Sequence, residues 1–429
     1  MAEKPTSSSC TILELDSYQD LLSLHINHPE RYPFLLESVA HGTGHSRYDI
    51  LFAFPEASIQ LNCQGTVETS NVEINSVELE NRQFLECLDE WWLQNKIDAG
   101  SGAPDHLPFI GGWFVYLGYE LAAEIESTLD LPEDNSGLPV AAAIRCPAAV
   151  IRDHSRKCTW LVTEDGRKSL LKQMEQDIIA SEHLRKEEDS IKTEQVLESL
   201  VEEEAEIYLN EILKIKQYIT EGDVFQVNLS RQWQATLDTT IEPSDIYRRL
   251  RMQNPAPFAA MVRLNDDFIL SSSPERLVQV GHNDSGQMII QTRPIAGTRP
   301  RSTEVDKDQA FSRELLSHPK EQAEHIMLID LERNDLGRVC VPGSIEVDEL
   351  MTLESFAHVH HIVSNVRGQL RSDVTPGEVI RAVFPGGTIT GCPKVRCMEI
   401  IAEQEKTGRG AYTGSVGYIN RNGELDFNI

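Results

Sequence analysis

Apolar and polar positions follow two different patterns along the chain. Up to about residue 175 the apolar residues come in short runs broken by Pro, Gly or charge. These runs are RYDILFAFP (47–55), PFIGGWFVYLGYEL (108–121), AAAIRCPAAVIRD (141–153) and WLVTED (160–165). Their length, their β-branched and aromatic content and the turn formers that end them predict buried strands among helices. From 207 onward the period switches back and forth. Ile207, Ile212, Ile215 and Ile219 recur at helical spacing and stop at Gly222. VFQVNLSRQW (224–233), FAAMVRL (258–264), FILSSS (268–273), RLVQVG (276–281), MIIQTRPIAGTRPR (288–301) and AHVHHIVSNVRGQL (357–370) read as strands. Helices are expected at 307–317, 319–330, 375–383 and 392–406. Between the two regimes, residues 176–206 are dense in charge and poor in aromatics, which predicts an exposed helical linker. The pattern divides the chain into an N-terminal part (1–175), the linker (176–206) and a C-terminal part (207–429).

Composition narrows the partners. Of 429 residues, 40% are hydrophobic, enough for a sizeable core. Lys and Arg number 39 against 68 Asp and Glu, a net charge of −29, so nucleic acid and anionic membranes are poor partners. An anionic substrate would need a local cation, a helix N-terminus or a buried Arg. The eight cysteines are irregularly spaced with no Cys-x-x-Cys pair, and MAEKPTSSSC lacks the order of a signal peptide. No apolar run approaches the roughly 20 residues of a membrane span. A reduced, cytoplasmic protein is expected.

Three segments carry candidate chemistry. FPGGTITGCPK (384–394) is a Gly-rich turn before a helix that starts near Pro393, an arrangement that exposes amides and a positive helix end to a carboxylate or phosphate. It is also an ordinary connector pattern. KEQAEHIMLIDLERNDLGR (320–338) places Glu321 and Glu324 three residues apart on one helix face, a hard-oxygen pair that suits Mg²⁺ or simply a solvated face. In His358-Val359-His360-His361, strand alternation puts His361 with Val359 and Val363. A neutral, partly buried imidazole there is a proton-shuttle candidate, though a core histidine gives the same pattern. The HGTGHS stretch (41–46) lacks the third glycine of a dinucleotide fingerprint and is set aside.

GDVFQVNLSR, NPAPFAAMV, SSSPERLV, QTRPIAGTRPR, KEQAEHIMLIDLERNDLGR, HVHHIVSNVRGQL, FPGGTITGCPKVRCMEII and GRGAYTGSVGYINRNGELDFNI occur in this order. Together they resemble the chorismate-binding enzymes, which include anthranilate synthase component I, aminodeoxychorismate synthase component I, and the isochorismate and salicylate synthases. The resemblance is dense over 207–429 and thinner before it. It implies an α+β fold, a large sandwich of stacked sheets flanked by helices, and Mg²⁺ dependence. By motif it implies Glu324 as a metal ligand with Glu321 beside it, and Gly297, Thr298, Gly387, Gly391, Lys394 and Tyr412 as substrate contacts. Thr388 would sit against a substrate carboxylate, His361 would move a proton, and Glu275 would be the acid aiding departure of the ring hydroxyl. FLLES (34–38) with NPAPF (254–258) resembles a tryptophan pocket, implying Glu37, Ser38 and Pro257 around a bound tryptophan.

Two positions sort the branches. The water-using members carry a Lys base where this chain has Gln226, which cannot act as a base. Gln226 therefore implies ammonia as the nucleophile and a glutaminase partner (a glutamine amidotransferase) to supply it. Well-known aminodeoxychorismate synthases carry a nucleophilic Lys where this chain has Ala296, as anthranilate synthases do. The N-terminal segments and the PGG of the 384–394 loop look closer to aminodeoxychorismate synthase. That branch, feeding p-aminobenzoate and folate synthesis, is the first reading, and anthranilate synthase is the alternative. The family's C-terminal Arg, Gly-Ala-Gly loop and second Mg²⁺ glutamate do not occur before Ile429, so a C-terminally incomplete domain is expected.

Overall fold

The computed structural model describes residues 10–39, 47–72, 82–97, 106–184 and 197–429. The first nine residues, HGTGHS (41–46) and the middle of the charged segment (185–196) lie outside them. Two large antiparallel sheets stack face to face. The first has seven strands in the order Cys10–Leu15, Cys158–Glu164, Ala148–Asp153, Tyr48–Ala53, Phe34–Glu37, Phe258–Leu264 and Asp267–Ser273. The second has eleven. Its main path runs Ile295–Pro300, Val359–Gln369, Met288–Thr292, Arg276–His282, Leu425–Asn428, Ser415–Asn420, Gly112–Leu117, Ala141–Cys146, Ala57–Leu61 and Val67–Ser70, and Glu346–Ser355 pairs with Val359–Gln369.

Three apolar layers hold these sheets. Between them lie Phe52, Phe109, Phe114, Tyr116, Ile151, Val262 and Tyr418, all buried. Each buried large side chain contributes about 2 kcal/mol of transfer free energy, so this seam fixes how the sheets face each other. The outer face of the first sheet packs on Leu22–Asn27, Lys168–Leu184 and Pro243–Gln253 through Leu24, Met174, Ile178 and Tyr247. The outer face of the second packs on Phe84–Asn95, Pro319–Gly337 and Pro376–Val383 through Leu88, Ile329 and Ile380. The result is a helix, sheet, sheet, helix sandwich.

Several sequence expectations change in detail. AAAIRCPAAVIRD is two strands, and Pro147 carries the chain from the second sheet to the first. The N- and C-terminal parts both supply strands to both sheets, so the division at 175–207 is one of pattern along the chain. The charged segment is not one exposed helix. Its start continues the packed helix Lys168–Leu184, where buried Asp177 accepts hydrogen bonds from Arg31 and Tyr32. Its end forms the exposed strand Leu197–Glu202, paired with Trp233–Leu237. VFQVNLSRQW is largely irregular. Gln226–Val227 pairs with Gly391–Cys392, and Trp233 begins the strand Trp233–Leu237.

Candidate active site

The edge of the second sheet, the helix Pro319–Gly337 and the 384–394 loop bring most of the predicted residues together. In Ile295–Pro300 the register against Val359–Gln369 shifts between Ala296 and Thr298. Gly297 occupies that shift at φ +77°, a conformation that favours glycine, and a Cβ there would meet Leu315 at 2.9 Å and Glu321 Oε2 at 3.0 Å. The strand therefore lies directly against the helix. Past the shift, Thr298 pairs with His361, and its hydroxyl is 2.9 Å from His361 Nδ1. Burial lowers the His361 pKa below the usual histidine range and outweighs the opposing effects of the Gly297 backbone and Glu354, so the ring is neutral near pH 7. Ala296 is buried and pairs with Ile362.

Glu321 and Glu324 diverge although they are three residues apart. Glu321 Oε1 is 3.2 Å from Arg299. Glu324 Oε1 accepts 3.1 Å from the Gln226 amide, whose own oxygen is buried without a partner. Among the described residues no three His, Cys, Asp or Glu side chains gather as a ready metal cage. Two helical carboxylates fit Mg²⁺, which keeps its waters and takes the remaining ligands from substrate oxygens. Glu324 is the better placed of the two, since Arg299 already neutralises part of Glu321.

Glu275 precedes the strand Arg276–His282 and is buried. Its Oε1 accepts 3.0 Å from the Ile295 amide, and the buried Thr388 hydroxyl faces it without a well-formed hydrogen bond. Burial pushes its carboxyl up to about 8, the amide and Thr388 oppose this, and the Glu332 carboxyl adds to it. It holds a proton at neutral pH. Arg276, the next residue, points away and pairs in bidentate fashion with Asp426.

The 384–394 loop differs from the open anion cradle expected. The Thr390 and Gly391 amides both donate back to the Gly387 carbonyl, and the Gly387 amide faces Glu332. Lys394 begins the helix Lys394–Glu405, but its side chain turns under the loop. Nζ is paired with Asp335 and donates to the Val383 carbonyl. The ammonium thus neutralises a buried carboxylate beneath the loop where a substrate contact is predicted. Tyr412 is half exposed, with the Arg409 guanidinium 5.5 Å from its ring.

Glu37, Ser38 and Pro257 gather elsewhere, on a cavity of about 410 Å³ between the sheets that Arg276, Tyr418 and Asp426 also line. Ser38 donates 3.0 Å to the Pro257 carbonyl. Glu37 accepts 2.7 Å from Tyr247 and 3.0 Å from Arg251.

Sequence reading missed three groups. Arg409 is buried and donates to Glu405 and to the Asn228 and Ile389 carbonyls, bracing the loop. His325 bonds Ser364 at 2.6 Å, and burial lowers it to about 4. Glu332 and Asp335 lie on the apolar stripe of Pro319–Gly337 with His325, Leu328, Ile329 and Leu336. Carboxylates at core spacing were the available signal.

Residues 33–429 match the family model for chorismate binding enzymes. The chain belongs to the chorismate-binding enzyme family. Among curated relatives, an anthranilate synthase component I-like protein of Synechocystis is 43% identical over 78% of this chain and 66% of its own length. This chain thus spans about two thirds of that relative. Aminodeoxychorismate synthase component 1 of Bacillus subtilis is 40% identical over 80% of this chain and 72% of its own. The crystal structure of anthranilate synthase component I from Streptococcus pneumoniae superposes with a TM-score of 0.74 at 29% identity, covering 90% of this chain and 84% of that one. The stacked-sheet α+β fold is therefore that of anthranilate synthase component I. No helix among the described residues is long and apolar enough to cross a membrane.

Proposed function

We infer that the protein is the aminating component that converts chorismate and ammonia to 4-amino-4-deoxychorismate, with water as the other product. The observation that carries amination, in either branch, is the absence of a free amine among the described residues at the places that would need one, and the choice of branch rests on the N-terminal segments and the Pro385-Gly386-Gly387 turn. Position 226 is Gln, position 296 is a buried Ala, and the Lys394 ammonium is tied to Asp335. A lysine base for water and a lysine nucleophile for the ring are both missing, which leaves ammonia to form the C–N bond.

The residues divide the work. Glu275 enters protonated and gives its proton to the departing ring hydroxyl as the C–O bond breaks. His361, neutral and fixed by Thr298, takes the surplus proton from the attacking nitrogen. Gly297 and Thr298 line the sheet side, and Thr388 meets a substrate carboxylate. Gly387 and Gly391 shape the loop, and Tyr412 closes the ring-carboxylate end. Glu324, with Glu321, would hold Mg²⁺, which supplies positive charge for a dianionic substrate and polarises its oxygens. A glutaminase subunit supplies the ammonia in the cytoplasm. The cavity at Glu37, Ser38 and Pro257 takes a tryptophan, with Arg276 and Asp426 on its wall.

The second reading, anthranilate synthase component I, is favoured by Ala296 and by the relatives of that name. Incubating the full-length protein with chorismate, Mg²⁺ and an ammonium salt separates the two. An aminated product that keeps its enolpyruvyl group supports the first, and release of pyruvate with anthranilate rejects it.

A further inference from the structure

The candidate active site rests on a buried cluster of charge that its assigned residues do not explain. Glu332, from the helix Pro319–Gly337, is only 6% exposed, and a cation that acts on it, Lys394, is bonded instead to Asp335. Asp335, one turn along, is 2% exposed and takes the only ammonium of the cluster, from Lys394. Gly387 packs onto this helix so tightly that a Cβ there would meet Leu331 at 2.4 Å and Glu332 Oε1 at 3.4 Å. The Gly387 amide and the buried Thr292 hydroxyl face the Glu332 carboxyl, and the next residue of the turn, Thr388, faces Glu275. One turn thus meets a buried carboxyl at each of two successive residues.

Charge counting gives this arrangement a consequence. Glu275, Glu332 and Asp335 offer three carboxyls against one ammonium. Lys394 settles Asp335, and Glu275 and Glu332, both buried, meet the same turn at successive residues, where like charges repel. We propose that Glu332 is a positioning residue: it seats the Gly387–Thr388 turn on the helix and, through its repulsion of a second negative charge, adds to the burial that holds the proton on Glu275. This rests on the reading of Glu275 as the acid. Glu332 touches no reacting atom. The other charged groups near it are Asp335 on its own helix, Lys394 from Lys394–Glu405 and Glu275 from the second sheet; Arg338 faces Asp335.

The roles separate by substitution in the full-length protein, with chorismate, Mg²⁺ and an ammonium salt as probes. Glu332→Gln keeps the shape of the seat and removes the charge. The basic limb of its pH–rate profile moves toward acid by about half a pH unit, about a threefold loss of rate on that limb, while activity near pH 6 and the KM for chorismate stay within about twofold. Glu332→Ala removes the seat as well, so chorismate binding measured by calorimetry also weakens, by about tenfold. A wild-type basic limb in Glu332→Gln overturns the charge role, and unchanged chorismate affinity in Glu332→Ala overturns the seating role. Glu275→Gln is the control. If it keeps the basic limb, the acid assignment fails, and the affinity of Glu332→Ala still decides whether Glu332 seats the turn.

Discussion

Glu37 and Glu275 are both buried glutamates at strand ends, and burial pushes both carboxyls up, to about 7 and about 8, yet only Glu37 has a cation beside it. Glu37 accepts from the Tyr247 hydroxyl and from Arg251, which also grips Asp20. Arg276 on the same cavity is paired with Asp426. Every one of these charges has a partner, as a pocket built to bind and persist requires. Glu275 accepts one amide and faces a second carboxyl, and no cation pairs with it among the described residues. Such a carboxyl keeps its proton, which suits an acid. Glu275 and Arg276 are neighbours in the chain and face the two regions separately, so the contrast arises across one peptide bond.

The largest effect should come from removing the acid. Glu275→Gln is expected to lower kcat about a thousandfold with little change in KM. The same variant reports on stability. A carboxyl raised from 4.5 to about 8 in the folded state binds its proton more tightly there than when unfolded. Its contribution is full below about pH 4.5, declines as pH rises and is gone above about pH 8. The melting temperature of Glu275→Gln relative to wild type should therefore climb between those values; a constant difference would contradict the buried acid. His361→Ala should cost kcat about a hundredfold and leave chorismate affinity nearly intact.

On the other side of the comparison, Arg251→Ala strands Glu37 and Asp20 and should cost about 3 kcal/mol in urea unfolding without changing the pH–rate profile. A shifted profile would show that the two regions are not independent. A smaller effect is expected at the carboxylates proposed to hold Mg²⁺. Glu324→Gln should raise the Mg²⁺ concentration for half-maximal activity about tenfold, and an unaltered titration would remove Glu324 from the ligand set.

Much of this was legible in the chain because local pattern and tertiary burial agree. The strands at 48–53, 258–264, 276–282 and 359–369 and the helix stopped by Gly222 follow period and punctuation alone. The motifs also led to Glu275, Thr298, Glu324, Thr388 and His361, which the fold brings around one edge of the second sheet. What sequence could not give was direction. Pro147 looks like a break within one strand region, and only the two-sheet packing makes it a crossing. Lys394 is a substrate contact by the resemblance alone, and only the fold shows that its ammonium is paired with the buried Asp335. Gln226 lies in an alternating stretch that predicts a strand, and its two-residue pairing leaves it free to reach Glu324.

Product identity tests the central claim most directly. Full-length protein, chorismate, Mg²⁺ and ammonium salt would be incubated and the products read by mass spectrometry and fluorescence. The expected result is an aminated chorismate that retains its enolpyruvyl group and gives p-aminobenzoate only when a lyase is added. Anthranilate with an equivalent of pyruvate would contradict it and make the alternative branch the correct one.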